Sequence, residues 1–303
     1  MPSRAATERE TPLLFFHPFI QSVHEFDNIP TFLFRLHAPG TVGTTTTTEV
    51  TSPAYNGGDT GKKRGLFQKP PAEAAELLNA HLWWQPRHEG ECNLMSWSSS
   101  LLFLLQYGLH RHSKDHDRPG LSDVHLLTLD TRQFPKGTFI QDLEAIKAFG
   151  GYMYSEDHQN LRNLQNLRMS EYYFGEYLSQ GRLDISERCS QTSMKQLIDM
   201  GLFKLCPMLA ENSQWNLWAK RVVLIRKGFA DEAEATDKTS VRTAITMAQM
   251  CFGADFALPL AVMLLSLKNR KIDDWAVLDG VRSMFTGELE DATPVFCRQL
   301  TPG

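Results

Sequence analysis

The sequence predicts an α+β fold, in which a mixed sheet with helices is followed by an all-helical region. Two observations predict this class. Up to about residue 188, short runs of β-branched, aromatic and aliphatic residues alternate with segments of helical spacing. Beyond residue 190 every apolar segment has helical spacing, and no further strand is expected. The 303 residues suffice for one large domain or two smaller ones, each with a core.

The N-terminal part is predicted to contain one strand between two irregular stretches. Residues 1–30 are polar and then interrupted by prolines, which indicates a loosely packed tail. Residues 31–38 (TFLFRLHA) alternate large apolar side chains and predict a strand, in which Arg35 is a lone cation among Phe and Leu. Residues 39–71 are rich in Thr, Gly, Pro and Lys, which is typical of a long, mobile surface loop.

A serine-rich stretch, residues 93–108 (NLMSWSSSLLFLLQYG), stands at the centre of the mixed region. It follows a helix predicted over residues 71–84, which has a proline in its first turn. Ser98 or Ser99 is suited to cap the next helix, because a serine oxygen accepts an N–H of the first turn. That helix, residues 101–112, is apolar on most sides and is therefore predicted to be buried.

Two further strands and two helices complete the mixed region. Residues 123–131 (DVHLLTLDT) are predicted as a strand, and residues 139–149 and 157–168 as helices. Residues 171–185 (EYYFGEYLSQGRLDI) are aromatic and alternating, which predicts a late strand. Gly175 within it indicates a bulge or a point of close backbone approach.

Residues 189–303 are predicted to form the helical region, which offers a surface for a protein partner. The organisation is therefore a tail over residues 1–30, an α+β domain over residues 31–188, and helices thereafter. The predicted helices of the last region are residues 193–203, 213–226, 239–252, 258–268 and 273–286.

Composition and cysteine usage exclude several classes of protein. The net charge of -4 at pH 7 argues against a nucleic-acid partner. The longest apolar run, residues 256–267, is too short and too close to basic residues to indicate a membrane span. Five cysteines without a CxxC pair indicate free thiols and no metal site, and Cys92 has no activating neighbour in sequence. Without a signal-peptide pattern, we expect a cytoplasmic protein.

Two charges stand inside apolar strands, Arg35 in the first strand and Glu176 in the late one. A buried charge is costly unless it is paired or placed at a cleft. The two residues therefore indicate either a salt bridge across a sheet or a site for a charged ligand. On edge strands, in contrast, both side chains would face solvent, and the sequence leaves these interpretations open.

The order of these motifs resembles the ADP-ribosyltransferase fold, of the type whose site residues are Arg, Ser and Glu. The resemblance covers residues 31–188. It is carried by LFRL (residues 33–36), SWSSSLLFLLQYG (from Ser96), VHLLTLDT (from Val124) and FGEYLSQGRL (from Phe174). The chain is also similar to uncharacterised fungal domains with a late EYL strand.

The resemblance implies NAD as the substrate, no metal, and a role for each of three residues. Arg35 is expected to contact a phosphate or ribose of the dinucleotide, for which a guanidinium is suited. Ser96 is expected to orient the catalytic glutamate and to shape the nicotinamide pocket. Glu176 is expected to stabilise the oxocarbenium-like transition state as nicotinamide leaves. Trp97 and Ser98, in the same turn, are assigned to dinucleotide binding.

Two departures from the family pattern leave the acceptor open. Trp97 replaces the middle threonine of the usual Ser-Thr-Ser, and Phe174 stands where members that modify arginine or a base often have Glu or Gln. We therefore expect an ADP-ribosyltransferase or an NAD glycohydrolase that cleaves the nicotinamide–ribose bond. One alternative is a catalytically silent ADP-ribosyltransferase-like binding module. The other is a tRNA-dependent transferase similar to the cyclodipeptide synthases of fungal secondary metabolism.

Overall fold

The chain divides into two compact units, and neither of them is continuous in sequence. The first unit consists of residues 1–33, 41–99 and 130–188, and the second of residues 34–40, 100–129 and 189–303. The computed structural model describes residues 14–16, 28–56, 64–85, 90–114, 117–153, 158–229, 233, 235–271 and 274–284.

Strands and helices alternate through most of the described residues. The strands are β1 (Phe32–His37), β2 (Thr44–Thr45), β3 (Glu49–Thr51), β4 (Leu94–Ser98), β5 (His125–Asp130), β6 (Ile140–Gln141), β7 (Glu176–Gln180), β8 (Arg182–Asp184) and β9 (Cys189–Ser193). The helices are α1 (Pro53–Asn56), α2 (Pro71–Leu82), α3 (Leu101–Lys114), α4 (Asp142–Phe149), α5 (Leu161–Arg168), α6 (Met194–Asp199), α7 (Leu202–Leu205), α8 (Trp218–Gly228), α9 (Lys238–Phe252), α10 (Ala254–Leu265) and α11 (Trp275–Met284).

In the first unit, β7 lies between β6 and β4 and pairs antiparallel with both. The register places Ser98 opposite Glu176 and Ser96 opposite Leu178. Because side chains alternate between the two faces of a sheet, Ser96, Ser98 and Glu176 share one face. Trp97 lies on the other face. Strand register alone thus places three residues of the predicted site on one face.

Helices α2, α4 and α5 form the core of the first unit together with these strands. The core contains Leu94 and Leu178, which lie on the same face of the strands as Ser96 and Glu176. From the helices it includes Ala74, Ala75, Leu78, Leu82, Ala145, Ile146, Phe149, Leu161 and Leu164. The polar residues of this face therefore lie at the border of a tightly buried apolar cluster.

A second sheet of the first unit has the strand order β2-β3-β8 and is antiparallel throughout. Its strands β2 and β3 lie within residues 39–71, so the prediction of one long surface loop is wrong for these residues. β3 pairs with both β2 and β8, and the β-branched Thr and Val residues of β2 and β3 suit the extended conformation. Residues 57–63 lie outside the described residues, and the mobility of this loop stays a prediction.

The predicted late strand, residues 171–185, is two strands in the structure. Gly181 has a φ of +73°, a left-handed conformation that glycine adopts without steric cost, and it separates β7 from β8. The two strands belong to different sheets. The sequence pattern predicted the extended conformation but not the change of sheet at Gly181.

In the second unit, β5 lies between β1 and β9 and pairs antiparallel with β9. The expectation that no strand follows residue 190 is wrong, because β9 covers Cys189–Ser193 (CSQTS). These residues lack the apolar alternation of a typical strand. Their extended conformation is stabilised by the hydrogen bonds to β5, although their own strand propensity is low.

Helix α3 packs on α8 in the second unit through aromatic side chains. The ring of Trp218 lies 5.9 Å from the rings of Tyr107 and His110 and 6.4 Å from that of Phe103. Aromatic pairs at such centroid distances are favourable beyond the area that they bury. A helix from the predicted mixed region thus belongs to the same unit as the C-terminal helices.

The start of α3 is capped one residue later than predicted. Ser100 Oγ accepts the backbone N–H of Phe103 at 3.3 Å, whereas Ser98 and Ser99 make other contacts. The α+β class is confirmed, and the ADP-ribosyltransferase-like arrangement stays a prediction. None of the helices in the described ranges is long and apolar enough to cross a membrane.

Candidate functional site

A hydrogen bond joins Ser96 and Glu176, two residues predicted for the site. Ser96 Oγ donates to Glu176 Oε1 at 2.7 Å. Ser96 lies opposite Leu178, two residues along β7 from Glu176, so the two side chains form a diagonal pair across neighbouring strands. Strand register therefore brings the predicted serine and glutamate into direct contact within the first unit.

Arg168, the last residue of α5, binds the other oxygen of the Glu176 carboxylate. Its Nη2 donates to Oε2 of Glu176. The side chains of Arg168 and Glu176 are only 11% and 15% exposed, so water screens this ion pair weakly. Charge-assisted hydrogen bonds of this kind are shorter and stronger than neutral ones. The carboxylate is thus held from two sides, by Ser96 and by Arg168.

The same guanidinium also faces Asp142, the first residue of α4. Arg168 Nε lies 3.1 Å from Oδ2 of Asp142, whose side chain is fully buried. Neither atom makes a hydrogen bond within the described residues, so this contact is electrostatic. Burial raises the pKa of Asp142 to about 7, with Arg168 opposing the shift and Glu176 adding to it. One positive charge therefore compensates two carboxylates.

The surroundings keep the guanidinium charged. Burial lowers the pKa of Arg168, but the carboxylates of Glu176 and Asp142 outweigh burial and raise it overall. Next to this group, the side-chain amide of Gln141 donates to the hydroxyl of Tyr173, whose pKa is raised by burial. The Glu176 carboxylate therefore faces a guanidinium that stays charged, and the Gln141–Tyr173 pair lies close to that guanidinium.

The backbone next to Glu176 is set by Gly175. Its φ is +62°, and an added Cβ would lie 1.9 Å from Ser99 Oγ. The Ser99 N–H donates to the Gly175 carbonyl at 2.8 Å, and Ser98 Oγ donates to the Phe174 carbonyl at 2.7 Å. The close backbone approach predicted at Gly175 is confirmed. These contacts fix the position at which β7 begins, and Glu176 is the first residue of that strand.

The two other predicted residues of the serine turn are buried in the sheet. Ser98 is 4% and Trp97 is 2% exposed. Trp97 Nε1 donates to Ser179 Oγ at 2.8 Å, and its ring packs edge-on against Phe139 with centroids 6.0 Å apart. Trp97 thus lies on the face opposite Ser96 and makes the contacts of a packed core residue. Binding of a dinucleotide by Trp97 and Ser98 stays a prediction.

Arg35, the residue predicted to contact the phosphates of the dinucleotide, belongs to the second unit. It is 9% exposed, so the interpretation in which it faces solvent is wrong. Burial lowers the pKa of Arg35 to about 10, and Tyr107 of the same unit opposes this shift. The next residue on the same face, His37, stacks on His125 and contacts Gln191 at 3.0 Å. Phosphate binding by Arg35 stays a prediction.

The sequence interpretation missed a histidine at this site, His81 on the last turn of α2. Its Nε2 lies 2.8 Å from Ser96 Oγ, and its Nδ1 lies 3.0 Å from Cys92 Sγ. Cys92 was expected to be inert for want of a partner near it in sequence, and the fold provides one from another element. Asp142 and Arg168 were missed as well.

The cysteines are free thiols, as predicted, at each position that the structure describes: Cys92, Cys189, Cys206 and Cys251. Cys297 lies outside the described residues. Within the same described part of the chain, no three side chains of His, Cys, Asp or Glu are grouped so that they could hold a metal ion.

The arrangement offers a negative charge that is fixed before any ligand arrives. A carboxylate has about four acceptor positions, and Ser96 and Arg168 occupy two of those of Glu176 among the residues that the structure describes. Such a group is suited to stabilise positive charge that develops on a bound molecule. Comparison of the chain with protein-family models, with curated proteins and with solved structures gives no match, so function rests on this geometry.

Proposed function

We propose that the chain cleaves the bond between nicotinamide and ribose in NAD, as an ADP-ribosyltransferase or as an NAD glycohydrolase. The observation that carries this proposal is the hydrogen bond of 2.7 Å between Ser96 Oγ and Glu176 Oε1 on neighbouring strands. It joins the two residues to which the resemblance assigns the catalytic roles. NAD is the substrate, and the proposed reaction uses no metal.

The charge of Glu176 supports the cleavage step. As the bond between ribose C1′ and the nicotinamide nitrogen breaks, the bonding electrons leave with nicotinamide and positive charge develops on the ribose. A carboxylate that is already in place stabilises this charge without reorganisation. Water or an acceptor nucleophile then adds to C1′ and loses a proton. Water gives ADP-ribose, and another nucleophile gives an ADP-ribosylated product.

Ser96 and Arg168 preorganise the carboxylate for this role. Each of them binds one oxygen, which fixes the orientation of the carboxylate plane. Arg35, to which the resemblance assigns the phosphates, is in the second unit, and the proposal rests on Ser96 and Glu176 alone.

The ion pair between Arg168 and Glu176 favours a second candidate, a catalytically silent module that binds a dinucleotide. A guanidinium in direct contact compensates part of the negative charge that the cleavage step requires. Such a module would bind NAD and release no nicotinamide. Calorimetric titration with NAD, carried out beside an assay for free nicotinamide, separates the two candidates.

The variant Glu176→Gln tests the proposal. It keeps the size and the hydrogen-bonding reach of the side chain and removes its charge, so nicotinamide release is expected to fall about 10²-fold or more. The glutamine can still accept hydrogen bonds from Ser96 and Arg168, but the loss of a weakly screened ion pair is expected to lower the free energy of unfolding by about 3 kcal/mol. Nicotinamide release is therefore compared at a temperature at which the variant is folded.

The matched control is Glu73→Gln, the same chemical change on a side chain that is 49% exposed and pairs with Lys69 on the surface. It is expected to leave nicotinamide release unchanged. The proposal is wrong if the folded Glu176→Gln protein releases nicotinamide as fast as the unaltered chain, or if the unaltered chain neither binds nor cleaves NAD.

A further inference from the structure

The imidazole of His81 connects the Ser96–Glu176 pair to a thiol. His81 Nε2 lies 2.8 Å from Ser96 Oγ, and Nδ1 lies 3.0 Å from Cys92 Sγ. Both distances are within hydrogen-bonding range for these atoms. The ring is partly buried, and both of its nitrogens face protein groups. Its tautomer therefore affects the serine that holds the glutamate.

The protons of this chain of contacts can be assigned one after another. A carboxylate that is paired with a guanidinium accepts hydrogen bonds and donates none, so the single hydroxyl proton of Ser96 points to Glu176. The oxygen of Ser96 must then accept from His81, which places a proton on Nε2. In a neutral imidazole Nδ1 is consequently an acceptor, and the thiol of Cys92 lies 3.0 Å from it. The single thiol proton thus has two acceptors within reach, Nδ1 at this distance and the Leu94 carbonyl oxygen at 3.9 Å.

We infer that His81 is a positioning residue of the site, a neutral imidazole that carries its proton on Nε2 and thereby keeps the Ser96 hydroxyl turned toward Glu176. Without this donor the hydroxyl can rotate away, and the carboxylate loses one of the two groups that orient it. The inference deepens the proposed function, on which its kinetic test rests. Its two structural tests need no catalytic activity.

Two amide variants separate the roles of the two ring nitrogens. His81→Gln places an amide N–H near the position of Nε2 and can still donate to Ser96. His81→Asn is shorter by one carbon, so its amide reaches the position of Nδ1 near Cys92 but not Ser96. Nicotinamide release is expected to fall about tenfold or more in His81→Asn, the equivalent of one lost hydrogen bond, and to be largely restored in His81→Gln.

His158→Asn is the control for the asparagine substitution, because His158 is an exposed histidine of the same unit. It is expected to leave the rate of nicotinamide release unchanged. Equal rates in His81→Asn and His81→Gln would contradict the inference, because the two variants differ in their reach to Ser96.

The structural tests are independent of NAD cleavage. Nitrogen NMR of the imidazole in the unaltered protein is expected to show His81 protonated on Nε2 and not on Nδ1. A crystal structure of His81→Asn is expected to show the contact between Ser96 Oγ and Glu176 Oε1 broken, and one of His81→Gln to show it kept. The NMR measurement needs no variant, so it tests the protonation of His81 even if the variants do not fold.

These outcomes distinguish the two proposals. If the unaltered protein releases no nicotinamide, the proposed function fails, and the tautomer and the variant structures still decide the role of His81. A proton on Nδ1, or an intact contact between Ser96 and Glu176 in His81→Asn, overturns the inference whether or not NAD is cleaved.

Discussion

Arg168 stands between two carboxylates whose surroundings differ. Glu176 accepts hydrogen bonds from Ser96 and from the guanidinium. Asp142 accepts one from the Leu143 N–H at 2.8 Å, and the contact of its other oxygen within the described part of the chain is the ion pair with Arg168. Burial is the largest influence on Asp142 and raises its pKa, because a buried carboxylate loses the hydration that stabilises its charge. With a pKa of about 7, Asp142 changes charge near neutral pH.

The stability of the protein is therefore expected to depend on the ionisation of Asp142. Folding raises its pKa from 3.8 to about 7. Below 3.8 the group is protonated in both states. Between pH 3.8 and about 7, Asp142 is ionised in the unfolded chain but stays protonated in the folded one. The free energy of unfolding therefore falls as the pH rises through this range, by at most about 1.4 kcal/mol per pH unit. Asp142→Asn, which cannot ionise, is expected to flatten this part of the profile.

Urea denaturation at a series of pH values measures this effect. Glu144→Gln, on the same helix and with a side chain that is 28% exposed, is the control and is expected to keep the slope of the unaltered protein. A profile of Asp142→Asn that runs parallel to that of the unaltered protein would show that the pKa of Asp142 is not raised.

At the scale of elements, the three polar residues that the sequence interpretation missed share one feature. Each lies on the buried, apolar face of its helix, three or four residues from a buried apolar side chain. The stripes are Ala74, Leu77, Leu78 and His81 on α2; Asp142, Ala145, Ile146 and Phe149 on α4; and Leu161, Leu164 and Arg168 on α5. A polar residue on an apolar stripe is the sequence signal that could have found them.

Periodicity predicted most helices and the apolar strands, but it could not predict which polar side chains meet. Ser96 and Glu176 were identified by a resemblance in motif order, and their contact depends on the register of β4 and β7. The strands β3 and β9 were missed because β3 has only three residues and β9 lacks apolar alternation, and their places in the sheets depend on pairing with β8 and β5. Local sequence carries no information about such partners.

Gly175→Ala is expected to destabilise the start of β7. The left-handed φ of +62° costs a residue with a Cβ about 1–2 kcal/mol, and the collision with Ser99 Oγ adds to this cost. Gly150→Ala is the control, because Gly150 has a φ of -58° and no atom within 4 Å of an added Cβ. It is expected to change stability by less than about 1 kcal/mol. Thermal or urea unfolding compares the two, and equal stabilities would rule out a conformational role for Gly175.

At the scale of the whole molecule, segments that are neighbours in the chain do not always share a unit. The composition changes near residue 188, which led to the prediction of domains over residues 31–188 and 189–303. The second unit also includes residues 34–40 and 100–129. No local signal marks these segments, because their membership follows from packing such as that of α3 on Trp218.

A fragment of residues 189–303 is therefore expected not to unfold cooperatively on its own, since it lacks α3. A fragment of residues 100–303 contains α3 and β5 and is expected to gain a sharper thermal transition. Circular dichroism melting of both fragments beside the full chain measures this difference. If the shorter fragment melts as sharply as the longer one, α3 is not needed for the fold of the C-terminal helices.

The distance in sequence between α3 and its partners also matters while the chain is being made. The side-chain amide of Gln106 donates to the carbonyl of Trp215, 109 residues later. At about 5–20 residues per second, a ribosome completes α3 roughly 5–20 s before Trp215 is synthesised. For that interval the aromatic face of a nascent helix is open to other unfinished chains, so the supply of chaperones becomes a determinant of yield.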